Sequence, residues 1–132
     1  MIVDSSALIA VLAAEPLRPR LLDAMLAAER LLMSAATYLE TAAVIDRRGD
    51  PVLSRRLDEL LEALGLEIVE VSPDQARLGR EAYRDFGKGS GHPAGLNYGD
   101  CFTYALARDS GLPLLHTGDD FNHTDVRTET VQ

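Results

Sequence analysis

Nine residues, Met1-Ile2-Val3-Asp4-Ser5-Ser6-Ala7-Leu8-Ile9, constrain this chain more than any other stretch. A short β-branched run stops at an acid. Hydroxyl residues of the kind that cap helices follow at once, and then an alanine- and leucine-rich segment. This is a strand feeding a helix, with Asp4 at the strand's carboxyl end. In open α/β sheets, ligands bind at that edge.

The rest of the chain continues the alternation. A first helix is predicted from Ser5 to about Ala14 and a second from Leu17 to Glu29, where Leu21, Leu22, Met25 and Leu26 form an apolar stripe. Arg30–Ser34 reads as a strand, with Ser34 capping a third helix, Ala35–Arg48. Gly49-Asp50-Pro51 stops that helix and starts a fourth, which Gly65 ends. Leu66–Val71 alternates as a strand, and Ser72-Pro73 opens a fifth helix to about Phe86. After the glycine-rich segment Gly87–Asn97 come a helix capped by Asn97 and ended by Gly111, a strand Pro113–Thr117, and a short last strand within Asp125–Val131. Strands alternating with helices predict a parallel sheet sandwiched by helices.

Four acidic positions stand out against this frame. Asp4 ends the first strand. Glu40 shares a helical face with Ala36, Ala43 and Val44, so it falls in what reads as an apolar stripe. A buried carboxylate without a partner is costly, so Glu40 requires a partner, a metal, or an edge position from which it reaches water. Asp100 lies three residues after Asn97, a spacing that suits both a capping box and a site. Asp119 and Asp120 follow the Pro113–Thr117 strand, again at a carboxyl edge.

Several carboxylates in one crevice repel each other unless a cation neutralises them. Oxygen donors without a Cys/His cluster favour Mg²⁺ or Mn²⁺ over zinc. Such ions polarise phosphoryl oxygens and orient water, so the chemistry expected is metal-assisted phosphodiester hydrolysis. Lys88-Gly89-Ser90-Gly91 is not a P-loop, because the lysine opens the glycine run rather than closing it. His92 in the same loop is either a substrate contact or simply exposed.

Composition bounds the setting. The 132 residues, 46% of them hydrophobic, suit one domain with a core of Leu, Ala, Val and Ile, since Trp is absent. Cys101 stands alone, which excludes an internal disulfide and fits a reducing compartment. No leader pattern precedes Asp4 and no apolar run approaches the ~18 residues of a membrane span, so a soluble cytoplasmic protein is expected. The net charge of −8 argues against nucleic-acid binding. An acidic site accounts for part of it, however, and Lys88 is the only lysine among the basic residues. Arginine grips phosphate through a planar fork of donors, although codon bias in a GC-rich genome enriches it too. Arg47, Arg48, Arg55 and Arg56 surround one turn and are either a phosphate-contacting patch or an ordinary solvated face. Arg77, Arg80 and Arg84 share a face of the fifth helix.

The stretches MIVDSSALIA, SAATYLETA, GLNYGDCFTYALA and LLHTGDDF resemble, in order and spacing, the motifs of PIN-domain proteins. The resemblance is greatest to the VapC ribonuclease toxins of bacterial VapBC toxin–antitoxin pairs, and it covers essentially the whole chain. It implies an α/β, PIN-like three-layer sandwich over residues 1–132, with a central, mainly parallel sheet flanked by helices. It also implies a Mg²⁺- or Mn²⁺-dependent endoribonuclease, a homodimer, an RNA substrate, and a cognate VapB-like antitoxin whose C-terminal segment occludes the acidic site. Asp4, Glu40 and Asp100 match the family's invariant acids: Asp4 and Asp100 as principal metal ligands, Glu40 completing the cluster or activating water. Many relatives separate the last two aspartates by one residue, whereas Asp119 and Asp120 are adjacent here. Asp119 is favoured as the fourth acid, with Asp120 the alternative, and Ser6 and Thr117 are expected to be supporting hydroxyls.

Rival readings lack their key residues. A receiver domain needs a paired acid near the first strand and a lysine after the last. An aspartyl phosphatase needs Asp-x-Asp where Asp4-Ser5-Ser6 stands. A non-catalytic PIN-like scaffold that binds RNA or a partner is the remaining alternative, and retention of all the acids argues against it.

Overall fold

Ile2 and Val3 are fully buried and form β1, the middle strand of a five-stranded sheet. The computed structural model describes residues 1–129 and 131. Its elements run β1 (Ile2–Val3), α1 (Ser5–Leu12), α2 (Arg18–Ala27), β2 (Leu32–Ser34), α3 (Ala35–Asp46), α4 (Pro51–Leu64), β3 (Glu67–Val69), α5 (Pro73–Phe86), α6 (Asp100–Ser110), β4 (Leu114–Leu115) and β5 (Thr128–Glu129). A 3-10 turn, Asp120–His123, lies between β4 and β5. The strand order is β3-β2-β1-β4-β5 and every pairing is parallel, with Ile2 beside both Leu32 and Leu114.

The three layers follow from the two-residue period of a strand. Val3, Met33 and Leu115 point to one face and pack with Leu8, Leu21, Met25, Ile45, Leu57 and Leu61 of α1–α4. Ile2, Leu32 and Leu114 point to the other and pack with Ala82 of α5 and Tyr104, Leu106 and Ala107 of α6. Each fully buried leucine contributes about 1.5–3 kcal/mol. Because helices cover both faces, the sheet offers ligands only its edges and the carboxyl ends of its strands.

Helix boundaries follow their caps. Asp50 accepts from the backbone N–H groups of Val52 and Leu53, and Ser72 accepts from that of Gln75. Gly65 and Gly111 end α4 and α6 in the left-handed region, at φ +61° and +71°. Several elements are shorter than the sequence predicts. Helix α1 stops at Leu12 and Ala14 turns to φ +53°, so the expected extension to Ala14 does not form. Helix α3 ends at Asp46 rather than Arg48. Strand β2 begins at Leu32, and Arg30 just before it pairs its guanidinium with Glu67 of β3 at 2.8 Å. Among the described residues the last strand is Thr128–Glu129, and residue 130 of the predicted tail strand lies outside them. His92 packs edge-on against Phe86 at 4.9 Å and accepts from the Ala94 N–H, so it serves the loop's shape.

Candidate active site

Asp4 is both the end of β1 and the N-cap of α1, and it is 3% exposed. Such burial requires partners. Its Oδ2 accepts from the Ser6 N–H at 3.1 Å and from Ser6 Oγ at 2.7 Å, while Oδ1 accepts from Thr103 Oγ1 of α6 at 2.7 Å. One lone pair of Oδ1 therefore stays open. Ser6 Oγ also accepts from the Thr117 N–H at 3.0 Å, which ties the chain after β4 to the start of α1.

Glu40 projects from α3 and accepts from Ser5 Oγ at 3.1 Å. The stripe it shares with Ala36, Ala43 and Val44 is not the core face. Thr37, Thr41 and Ile45 are buried instead, and Val44 is 40% exposed. The two threonines read as polar in the sequence, yet Thr41 satisfies its hydroxyl on the Thr37 carbonyl at 2.8 Å. Gly99 brings the turn before α6 against Glu40: a side chain there would collide with the Glu40 carboxylate. Nothing in the sequence marks Gly99 or Thr103 as site residues, since both roles depend on what lies opposite them.

Asp100 opens α6 and exchanges hydrogen bonds with Asn97. Its N–H donates to Asn97 Oδ1 at 2.9 Å, and its Oδ2 accepts from the Asn97 N–H at 3.0 Å. The capping box and the site are thus the same residue. Burial pushes the Asp100 carboxyl up to about 6, against the opposing Asn97 N–H, and the negative charges of Asp4, Asp120 and Glu40 push it in the same direction. Burial likewise raises the Cys101 thiol to about 11, which leaves no thiolate at neutral pH to act as a nucleophile.

These acids meet in one cleft of about 330 Å³, lined by Asp4, Ser5, Ser6, Ile9, Glu40, Val44, Asn97, Asp100, Thr117, Asp120 and Phe121. Asp119 is not on its wall. Its carboxylate accepts from Asn122 Nδ2 at 3.0 Å and engages His123 Nε2 at 2.6 Å, contacts that hold it below the usual carboxylate range. The 3-10 turn decides the register and gives the cleft Asp120 rather than the favoured Asp119. Ser6 and Thr117 also line the cleft.

No arginine, lysine or histidine is among the lining residues. Four carboxylates with open oxygen positions and no cationic side chain form a donor set that suits a hard divalent cation. Among the described residues no three acids, histidines or cysteines stand close enough together to hold a metal ion by themselves.

The fold is also what comparison with known proteins finds. Residues 1–127 match the PIN domain family model. The chain belongs to the PIN-domain family. Its relatives there include ribonuclease VapC28 of Mycobacterium tuberculosis, 54% identical over 127 residues and 96% of each chain. Ribonuclease VapC30 of the same organism is 51% identical over 97% of each chain. Among solved structures, M. tuberculosis VapC20, described as a sarcin–ricin loop cleaving toxin, shares the fold with a TM-score of 0.74 at 16% identity, covering 95% of each chain. A toxin–antitoxin complex from Klebsiella pneumoniae matches with a TM-score of 0.69 at 18% identity, covering 91% of this chain and 88% of that one.

Proposed function

We propose that this protein is a VapC-type toxin: a divalent-metal-dependent endoribonuclease that hydrolyses RNA phosphodiester bonds and so arrests growth. The observation that carries the reading is the convergence of Asp4, Glu40, Asp100 and Asp120 on one cleft without a cationic side chain. The kinship with proteins named ribonucleases supplies the substrate class.

Asp4 and Asp100 are the proposed ligands of Mg²⁺ or Mn²⁺. An ion held there supplies a Lewis acid that polarises the phosphoryl oxygen and stabilises the leaving oxygen. Asp4 is kept in place on the cleft wall by Ser6 and Thr103. Glu40, fixed by Ser5 and lying against Gly99, accepts a proton from the attacking water. Asp120 replaces Asp119 as the fourth acid and borders the open side. Thr117 acts through its backbone, holding Ser6.

The same reading assigns a VapB-like antitoxin as partner, its cationic arm drawn to the acidic cleft, and a cytoplasmic location. Among the described residues no helix is long and apolar enough to cross a membrane. It also assigns a homodimer. An apolar groove of about 440 Å³ between α5 and α6, with Tyr83, Tyr98 and Phe102 on its walls, supports a self-association surface.

Purified protein incubated with single-stranded RNA tests the reaction. Fragments that appear with Mg²⁺ or Mn²⁺ and cease with EDTA support it. Binding without cleavage under all metals tried would mark the protein as a scaffold instead.

A further inference from the structure

The acidic cleft lacks any cation, so it can hold the reacting phosphate's metal but not the phosphates on either side of it. An RNA strand therefore needs positive charge just outside the cleft wall, on a protein whose net charge is −8. Four of the twelve arginines are already committed to acids. Arg30, Arg77, Arg84 and Arg108 each hold an acid at 2.8–3.1 Å.

Of the others, Arg18, Arg20, Arg80 and Arg127 lie apart, while Arg47, Arg48, Arg55 and Arg56 gather at the α3–α4 turn. Ser54 of α4 donates to Asp46 of α3 at 2.8 Å, which packs the first turns of α4 against the end of α3. Arg47, Arg48, Arg55 and Arg56 surround this corner, all exposed. Arg55 reaches Glu59 loosely, at 3.7 Å, and the other three hold no acid among the described residues.

Helix α3 connects this corner to the cleft. Glu40 and Val44 both line the cleft. Arg47 keeps helical geometry, at φ −61° and ψ −22°, and its N–H donates to the Ala43 carbonyl. It therefore falls seven residues after Glu40, on nearly the same face and about 10 Å further along the axis. Arg48 follows beside it.

We propose that Arg47 and Arg48 form a track that grips the RNA backbone as it leaves the acidic cleft, with Arg56 extending it. This rests on the ribonuclease reading above. Their forked guanidiniums suit phosphate oxygens, and contacts to phosphate position a strand without reading its sequence. The expected substrate is a flexible single strand or loop of no fixed sequence at the contacted nucleotides.

The test is binding of a labelled single-stranded RNA oligonucleotide, followed by fluorescence anisotropy across a salt series with Mg²⁺ present. An Asp100→Asn background keeps the RNA whole. In that background the Arg47→Gln/Arg48→Gln pair is compared with Arg77→Gln/Arg84→Gln, which changes net charge equally on α5. The Arg47/Arg48 pair is expected to raise Kd roughly tenfold and to reduce the salt slope by about 1.4, since each lost phosphate contact on a single strand removes about 0.7. Arg47→Lys/Arg48→Lys should restore most of the slope. In the catalytically intact chain the same pair should raise KM with little change in kcat. Equal Kd and slope in the two glutamine pairs would overturn the proposal, and so would weakened antitoxin binding with RNA binding intact, which would assign the patch to the protein partner. A wild type that binds RNA through this track without cutting it would instead fault the ribonuclease reading and leave the track standing.

Discussion

Thr103 of α6 donates its hydroxyl proton to Asp4 of β1 at 2.7 Å, joining residues ninety-nine positions apart inside the core. Thr103 is 1% exposed, and Thr37 lies 3.2 Å from its oxygen. With the Thr103 proton committed to Asp4, Thr37 is the donor of that second bond. The buried hydroxyls of Thr37 and Thr103 thus form a two-step line that ends on the acid that opens the site. Thr103→Val keeps the shape and strands Asp4 Oδ1. It should cost about 1–3 kcal/mol of stability in urea denaturation, together with a lower kcat, whereas Thr103→Ser should retain most of both. An unchanged kcat in the valine variant would remove Thr103 from the positioning of Asp4.

Gly99 has ordinary helical dihedrals, φ −62° and ψ −38°, so its requirement for glycine is purely steric. A methyl group there would occupy the space of the Glu40 carboxylate. Gly99→Ala should therefore fold normally by circular dichroism while Glu40 is displaced, with cleavage falling by about a hundredfold. Near-normal cleavage would show that Glu40 can move without consequence and would dismiss it as the proton acceptor.

The adjacent aspartates separate cleanly by substitution. Asp120→Asn should lower cleavage strongly, because Asp120 is on the cleft. Asp119→Asn should leave cleavage near wild type and loosen the Asp119–His123 turn, seen as a small drop in melting temperature. The opposite ranking in kinetic assays would return the fourth position to Asp119.

Asp100 also makes a stability prediction for the metal-free protein. Its folded carboxyl titrates near 6, above the unfolded value of 3.8, so between those values the folded chain carries a proton that the unfolded chain has released. Stability contributed by this group is then full below about pH 4 and is lost as pH climbs through about 6. Asp100→Asn removes the loss while keeping an acceptor for the Asn97 N–H. In EDTA the variant should melt a few degrees above wild type at neutral pH, with the difference closing near pH 4. A variant that melts lower at neutral pH would mean the charged Asp100 is not under repulsion.

The parts of this architecture that depend on local pattern can be read from the chain alone. Ile2-Val3 followed by Asp4-Ser5-Ser6 encodes strand, edge and cap in five residues, and the Pro51 and Pro73 helices begin where their caps predict. What the sequence conceals depends on packing. Thr37 and Thr41 look like a polar face because their hydroxyls' partners are invisible in one dimension, so the core face of α3 is misread by about a third of a turn. Whether Asp119 or Asp120 faces the cleft depends on a single short turn with no periodicity. Gly99 gains its role only from Glu40, which is brought to it by the tertiary fold.

The central claim is that the carboxylate cleft is a metal-dependent RNA-cutting site, and one assay addresses it most directly. Initial rates of RNA cleavage are measured for wild type and Asp100→Asn side by side across a Mg²⁺ or Mn²⁺ titration. Saturable, metal-dependent cleavage by the wild type, with a loss of at least about a hundredfold in the variant at every metal concentration, is the predicted result. Equal cleavage by the two proteins, or cleavage that persists in EDTA, would contradict it.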